Sequence, residues 1–202
     1  EFILVSSVAV AWGRSLLETR VGRIDTVSAR QLFSAVGQVK LLNRYYDLFN
    51  EYGIACGQVL TTKQDFETRR HYLNQRNSIR VMLENGVVPI VNENDTVAID
   101  ELELEIGEND SLSATVAAAV GADLLIILSD INGLYSADPR TDANAQVIRE
   151  VRKIDARIEQ MAGGAGSALG SGGMATKINA AKIATEAGVD MVIICLLYTS
   201  DA

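Results

Sequence analysis

Cysteine, histidine and basic residues are scarce in this 202-residue sequence, and each shortage removes a class of protein. Cys56 and Cys195 lie far apart in apolar surroundings with no CxxC pair, and His71 is the lone histidine. That excludes a disulfide scaffold and leaves too few soft donors for a zinc site. Lys and Arg number 18 against 26 Asp and Glu, a formal charge of −8, whereas a nucleic-acid-binding surface needs the opposite balance. Uncharged apolar stretches such as 2–13 and 111–122 fall short of the ~20 apolar residues of a membrane-spanning helix. A soluble, cytoplasmic protein with neither nucleic-acid nor membrane partners is expected.

What is present suits a folded core. Hydrophobic residues make up 48% and charged residues 22%, ordinary globular proportions, and the length is that of one domain. Apolar runs of strand length at 2–5, 54–60, 87–91, 124–128 and 191–194 alternate with helix-periodic segments, the pattern of a layered α/β domain with a mostly parallel sheet. Leu32, Val36, Val39, Leu42, Tyr46 and Phe49 recur every three or four residues, so a long helix with that stripe in the core is expected. Tyr72, Ile79 and Leu83 predict a second helix. A third starts near Asn109 and stops at Gly121, and a fourth runs from about Gly173 with Gly188 as its stop. Glu1 is not a methionine and 2–5 reads as a strand without a lead-in, so a fragment of a longer chain is expected. No basic residues precede the apolar stretch, as a signal peptide requires.

In parallel sheets ligands gather beyond the carboxyl ends of strands, which directs attention to the loops there. Ser6 and Ser7 follow the first strand; Asn92, Glu93, Asn94 and Asp95 follow the third, and four consecutive polar side chains exceed what a turn requires. Asn109 and Asp110 open a helix, where they serve either as caps or as ligand contacts. Ser129 and Asp130 follow the most apolar strand. The stretch 163–173 has six glycines in eleven residues and leads into Met174, Ala175, Thr176 and Lys177. Backbone amides, a helix start and a lysine one turn in can wrap phosphate oxygens; the other reading is a flexible glycine loop with a solvated lysine. It has neither the GxxxxGK[ST] nor the GxGxxG spacing.

Together VSSVAVAWG at 5–13, GVVPIVNENDTVA at 86–98, GENDSLSA at 107–114, SDINGLYSADPR at 129–140 and GSGGMATK at 170–177 resemble the amino-acid kinase family. The NEND and GENDSLSA segments are similar to its glutamate 5-kinase branch. The resemblance implies a three-layer sandwich over 1–195 with a mostly parallel central sheet, lacking its first strand, and an atypical tail at 196–202. It implies ATP-dependent phosphorylation of the side-chain carboxylate of L-glutamate, the first step toward proline, with Mg²⁺. The alternatives are another amino-acid kinase, such as one acting on acetylglutamate, or a catalytically dead relative that binds nucleotide or amino acid.

Residue by residue, the resemblance implies glutamate binding by Ser7, Asp95 and Asn109. It implies ATP binding by Ser129, Asp130, Ser171, Gly172, Gly173, Met174, Ala175, Thr176 and Lys177. Lys177 is implied to touch the transferring phosphoryl group and Asp110 to organise catalytic lysines. No general base is needed, since a glutamate carboxylate is ionised at neutral pH, and His71 is expected in a surface or packing role. A homo-oligomer and feedback by proline are implied as well. The family carries a lysine-bearing strand and a glycine loop before the segment that begins here at Phe2, so little activity is expected of this chain alone. Val8 stands where the family has glycine, and Trp12 where a small residue is usual.

Overall fold

The computed structural model describes residues 1–17, 22, 24–98, 109–137, 139, 141–163 and 173–196. The chain divides into two compact units, Glu1–Asn109 and Asp110–Ala202, each built on parallel strands. Residues 107, 108, 138, 140, 164–172 and 197–202, which include Ser171 and Gly172 of the expected nucleotide contacts, lie outside the described residues.

The first unit runs β1 (Leu4–Val5), α1 (Ala9–Leu17), α2 (Thr26–Asn50), β2 (Ala55–Thr61), α3 (Gln64–Glu67), α4 (Arg69–Glu84) and β3 (Val87–Glu93). Its sheet has the order β1-β3-β2, all parallel, with Leu4 opposite Ile90 and Ala55 opposite Val87. Residues 88–92 of the middle strand are all buried, as a parallel strand covered on both faces requires. Pro89 sits in this central strand although proline has no amide to donate. The Val91 carbonyl faces β1, where it accepts from the Ser6 amide at 2.9 Å, so two residues earlier Pro89 faces the same way. Pairing with β1 starts only at Ile90, and the missing donor therefore interrupts no ladder.

The expected strands coincide with β1, β2 and β3, and the expected helices with α2 and α4, whereas α1 was not anticipated. α2 starts at Asp25, whose carboxylate accepts from the Ser28 amide at 2.9 Å and the Ser28 hydroxyl at 2.6 Å. Those bonds hold the Asp25 carboxyl below its ordinary pKa. The expected core stripe on α2 is wrong. Its buried residues are Phe33, Ser34, Gly37, Gln38 and Leu41, while Leu32 and Tyr46 are exposed and Val39 is 63% exposed.

The reason is the close crossing of α1 over α2. A Cβ on Gly13 would stand 1.7 Å from the Phe33 carbonyl oxygen, and one on Gly37 1.7 Å from the Ala9 carbonyl oxygen. A face that receives another backbone must be small, and Ser34 and Gln38 are buried through hydrogen bonds rather than by apolarity.

The second unit runs α5 (Asn109–Val120), β4 (Leu124–Ser129), β5 (Leu134–Tyr135), β6 (Val147–Ile148), α6 (Ala156–Met161), α7 (Gly173–Glu186) and β7 (Asp190–Cys195), with α5 opening at its border. β4 and β7 pair in parallel from Leu124–Asp190 to Ser129–Cys195. Ala114 and Ala117 of α5 and Ala180 and Ala184 of α7 pack with Leu125, Ile127 and Val189, small side chains that let both helices lie close to one face of the strands. Gly121 and Gly188 take φ of 68° and 79° and end their helices as expected. The β5–β6 hairpin and α6 were not anticipated; with Ile178 and Met174 they form a second small core around Leu134 and Ala162.

Gly13→Ala or Gly37→Ala should lower stability by about 2 kcal/mol or more, since backbone rather than a flexible side chain blocks the new methyl. Gly57→Ala in β2, whose methyl would lie 3.4 Å from the end of Met82, should stay within about 0.5 kcal/mol of the parent. Urea unfolding of the three variants checks the contrast; equal midpoints would remove the close crossing as a constraint.

Candidate active site

In the first unit, chain leaving β1 and chain leaving β3 bound one cavity of about 660 Å³. Ser6 is buried and its hydroxyl pairs with the Tyr45 hydroxyl at 2.9 Å, fixing the exit of β1. Ser7 and Val8 follow, and the Val8 carbonyl accepts from the Trp12 amide at 2.9 Å, which starts α1. Val8 has φ of 75°, a left-handed conformation that a β-branched side chain rarely adopts, and it is 49% exposed at the cavity wall. Ser7, Asp95 and Asn109, the three expected contacts of the amino-acid substrate, all line this cavity.

The NEND segment divides its work. Asn94 is a turn residue: its amide donates to the Thr61 carbonyl at 2.8 Å, its carbonyl accepts from the Val97 and Ala98 amides, and its side chain accepts from the Thr96 hydroxyl. Asn92, Glu93 and Asp95 face the cavity. Asp95 is buried and its carboxylate is held on both oxygens. Arg30 donates to Oδ1 through Nε at 3.0 Å and Nη2 at 2.8 Å, and the Ser34 hydroxyl donates to Oδ2 at 3.2 Å. Arg30 Nη2 also lies 3.9 Å from Glu93. Gln38 reaches the Glu93 carbonyl at 3.5 Å. Arg30, Ser34 and Gln38 escaped the sequence reading, although their spacing of four puts three polar groups on one line of a helix, a signal that apolar stripes alone do not register.

The second unit carries a separate cluster. Asp110, in the first turn of α5, accepts on Oδ2 from Lys177 Nζ at 3.0 Å and from the Thr176 hydroxyl at 2.8 Å. The Lys177 and Asp110 side chains are 12% and 22% exposed, so the pair is shielded yet reachable by an anion. Thr176 also donates to the Gly173 carbonyl, tying the lysine to the start of α7. At the carboxyl end of β4 the buried Ser129 hydroxyl donates to Asp130 at 3.2 Å. Met174 packs on the second core, which leaves the backbone of Gly173–Ala175 and Lys177 as the groups suited to phosphate. His71 is exposed on α4, 3.9 Å from Asp65 and apart from both clusters' hydrogen bonds.

No group of three or more His, Cys, Asp or Glu side chains fit to hold a metal occurs among the described residues.

The family model described as the amino acid kinase family matches residues 2–195. The chain belongs to that family. Among curated relatives of this family member, proteins named glutamate 5-kinase from Bacteroides thetaiotaomicron and Syntrophotalea carbinolica are 52% and 48% identical to it, each over 96% of its length. The one from Vibrio vulnificus is 47% identical over 95%. The chain covers 52%, 51% and 50% of those proteins and so spans about half the length of the curated relatives it matches. Among solved structures, an isopentenyl phosphate kinase matches with a TM-score of 0.55 at 19% identity, over 96% of this chain and 74% of that one. Aspartokinase III of E. coli, solved with aspartate and ADP, gives 0.56 at 15% identity over 92% and 42%. These two establish the fold of this amino acid kinase family member.

Val8→Gly should raise stability by about 1 kcal/mol: relief of left-handed strain is worth about 1–3 kcal/mol, offset by about 0.5–1 kcal/mol of added freedom in the unfolded chain. A lower urea midpoint for this variant would show that Val8 rests without strain.

Proposed function

We propose that the whole protein transfers the γ-phosphoryl group of ATP to the side-chain carboxylate of L-glutamate, giving glutamyl 5-phosphate and ADP. The observation that carries this reading is the similarity to glutamate 5-kinases at about half of all positions across 96% of the chain. It is supported by Ser7, Asp95 and Asn109 lining one cavity and by a lysine held at the glycine-rich start of α7.

The chemistry asks little covalent help. A carboxylate oxygen attacks the γ-phosphorus while the bond to the β-phosphate oxygen breaks, and ADP leaves with that electron pair. Two anions must meet, so the dominant cost is electrostatic. Lys177 meets it with a fixed positive charge, and Asp110, gripping Nζ and the neighbouring Thr176 hydroxyl, positions that charge. Backbone amides at the start of α7 add to the same field, and Mg²⁺ bound with the nucleotide supplies further neutralisation of phosphate charge. Ser129, Asp130, Ser171 and Gly172 complete the nucleotide contacts in this reading. It also takes in a cytoplasmic location, a homo-oligomeric whole protein and feedback by proline.

Hydroxylamine trapping of the acyl phosphate, run on the whole protein with ATP and a panel of acidic amino acids, tests the proposal. Glutamate should give hydroxamate in preference to aspartate and acetylglutamate, and Lys177→Met should cut kcat at least about 100-fold. Preference for acetylglutamate, or ligand binding with no hydroxamate from any acceptor, would replace the proposal with one of its two alternatives.

A further inference from the structure

The cavity at the ends of β1 and β3 contains two arginines and two acids, and its pairing is lopsided. Arg30 is satisfied by Asp95 at 2.8 Å and lies 3.9 Å from Glu93. Arg14, on α1, also lines the cavity, and among the described residues no carboxylate pairs with it. Its guanidinium instead lies over the ring of Phe33, 5.7 Å from the centroid. Phe33 is buried, and the residue before Arg14 is Gly13, whose contact with the Phe33 carbonyl leaves no room for a methyl. Arg14 is thus carried on a rigid crossing and braced by an aromatic face, yet among the described residues no carboxylate neutralises its charge at the cavity wall.

We propose that Arg14 reads the α-carboxylate of the amino-acid substrate. The inference rests on the reading of this cavity as the glutamate site. An acidic amino acid brings one ammonium and two carboxylates, and the side-chain carboxylate must stay free to accept phosphoryl. The ammonium finds Glu93 and the Asp95 oxygen bonded to Ser34, while the α-carboxylate needs a cation whose charge is not already neutralised. Arg30 is committed to Asp95, which makes it a positioning residue; Arg14, with no carboxylate partner among the described residues, presents a planar fork, the geometry suited to a carboxylate. In the sequence an arginine on a short helix looks like any solvated surface charge, so nothing there singles it out.

The test compares L-glutamate with L-isoglutamine, whose α-carboxylate is an amide while its side-chain carboxylate is intact. Calorimetric titration of the whole protein, its Arg14→Met variant and its Arg14→Lys variant gives the dissociation constants, and thermal midpoints check folding. The parent should prefer glutamate by about ten-fold or more, the size of a hydrogen-bonded charge contact. Arg14→Met should lose that preference by weakening glutamate alone, leaving isoglutamine within about two-fold, and Arg14→Lys should fall between. Equal weakening of both ligands, or no change in either, overturns the role of Arg14 while the glutamate site stands. A whole protein that binds no glutamate overturns both readings.

Discussion

The contact on which the first unit depends is between two backbones. Gly13 against the Phe33 carbonyl and Gly37 against the Ala9 carbonyl bring α1 onto α2 with no side chain between them. Such an approach has one register: a shift of one residue along either helix would drive a Cβ into a carbonyl. That register also sets the geometry of the cavity. It fixes the first turn of α1, hence Ser7 and Val8 before it and Arg14 after it. On the facing helix it turns Ser34 and Gln38 inward, where they meet Asp95 and the Glu93 carbonyl. Packing and polar positioning are here one constraint rather than two.

Both units hold a carboxylate by the same device. Asp95 is gripped by Arg30 and Ser34, and Asp110 by Lys177 and Thr176, in each case a cation and a hydroxyl from a helix distant in sequence. A buried or half-buried carboxylate without such partners would be costly, so each pair secures its own geometry. The consequences for chemistry differ. Arg30 lends its charge to Asp95, which ends as a fixed acceptor. Lys177 is shared, because an ammonium with three donors keeps two for an incoming oxygen after bonding Asp110.

Strands were legible because apolar runs such as LLIIL at 124–128 and MVII at 191–194 have few other uses at that length. Helix ends at Gly121 and Gly188 were legible because glycine alone takes those φ values freely. The core face of α2 was not. Apolar periodicity ranks Val36, Val39 and Leu42 above Ser34, Gly37 and Gln38, yet the latter three are inside, since a helix that receives another backbone needs small residues and a site needs hydrogen-bonding ones. The cavity residues divided likewise: Ser7, Asp95 and Asn109 sit in polar clusters at strand ends and helix starts, whereas Arg14 and Arg30 stand singly on helices, where only three-dimensional pairing separates a working charge from a solvated one.

Val8 shows why strain can persist at such a place. On one side the Ser6 amide is bonded to the Val91 carbonyl and the Ser6 hydroxyl to Tyr45, so chain direction is settled two residues before it. On the other, Val8 supplies the first carbonyl of α1, and α1 is locked by Gly13. Between these fixed ends the chain must turn within Ser7 and Val8, and a left-handed residue is how it turns. Valine takes the shape because its neighbours over-determine it, at a cost that glycine would not incur. The same over-determination that tolerates an unsuitable residue keeps the cavity wall in place, and it leaves a β-branched side chain standing at that wall.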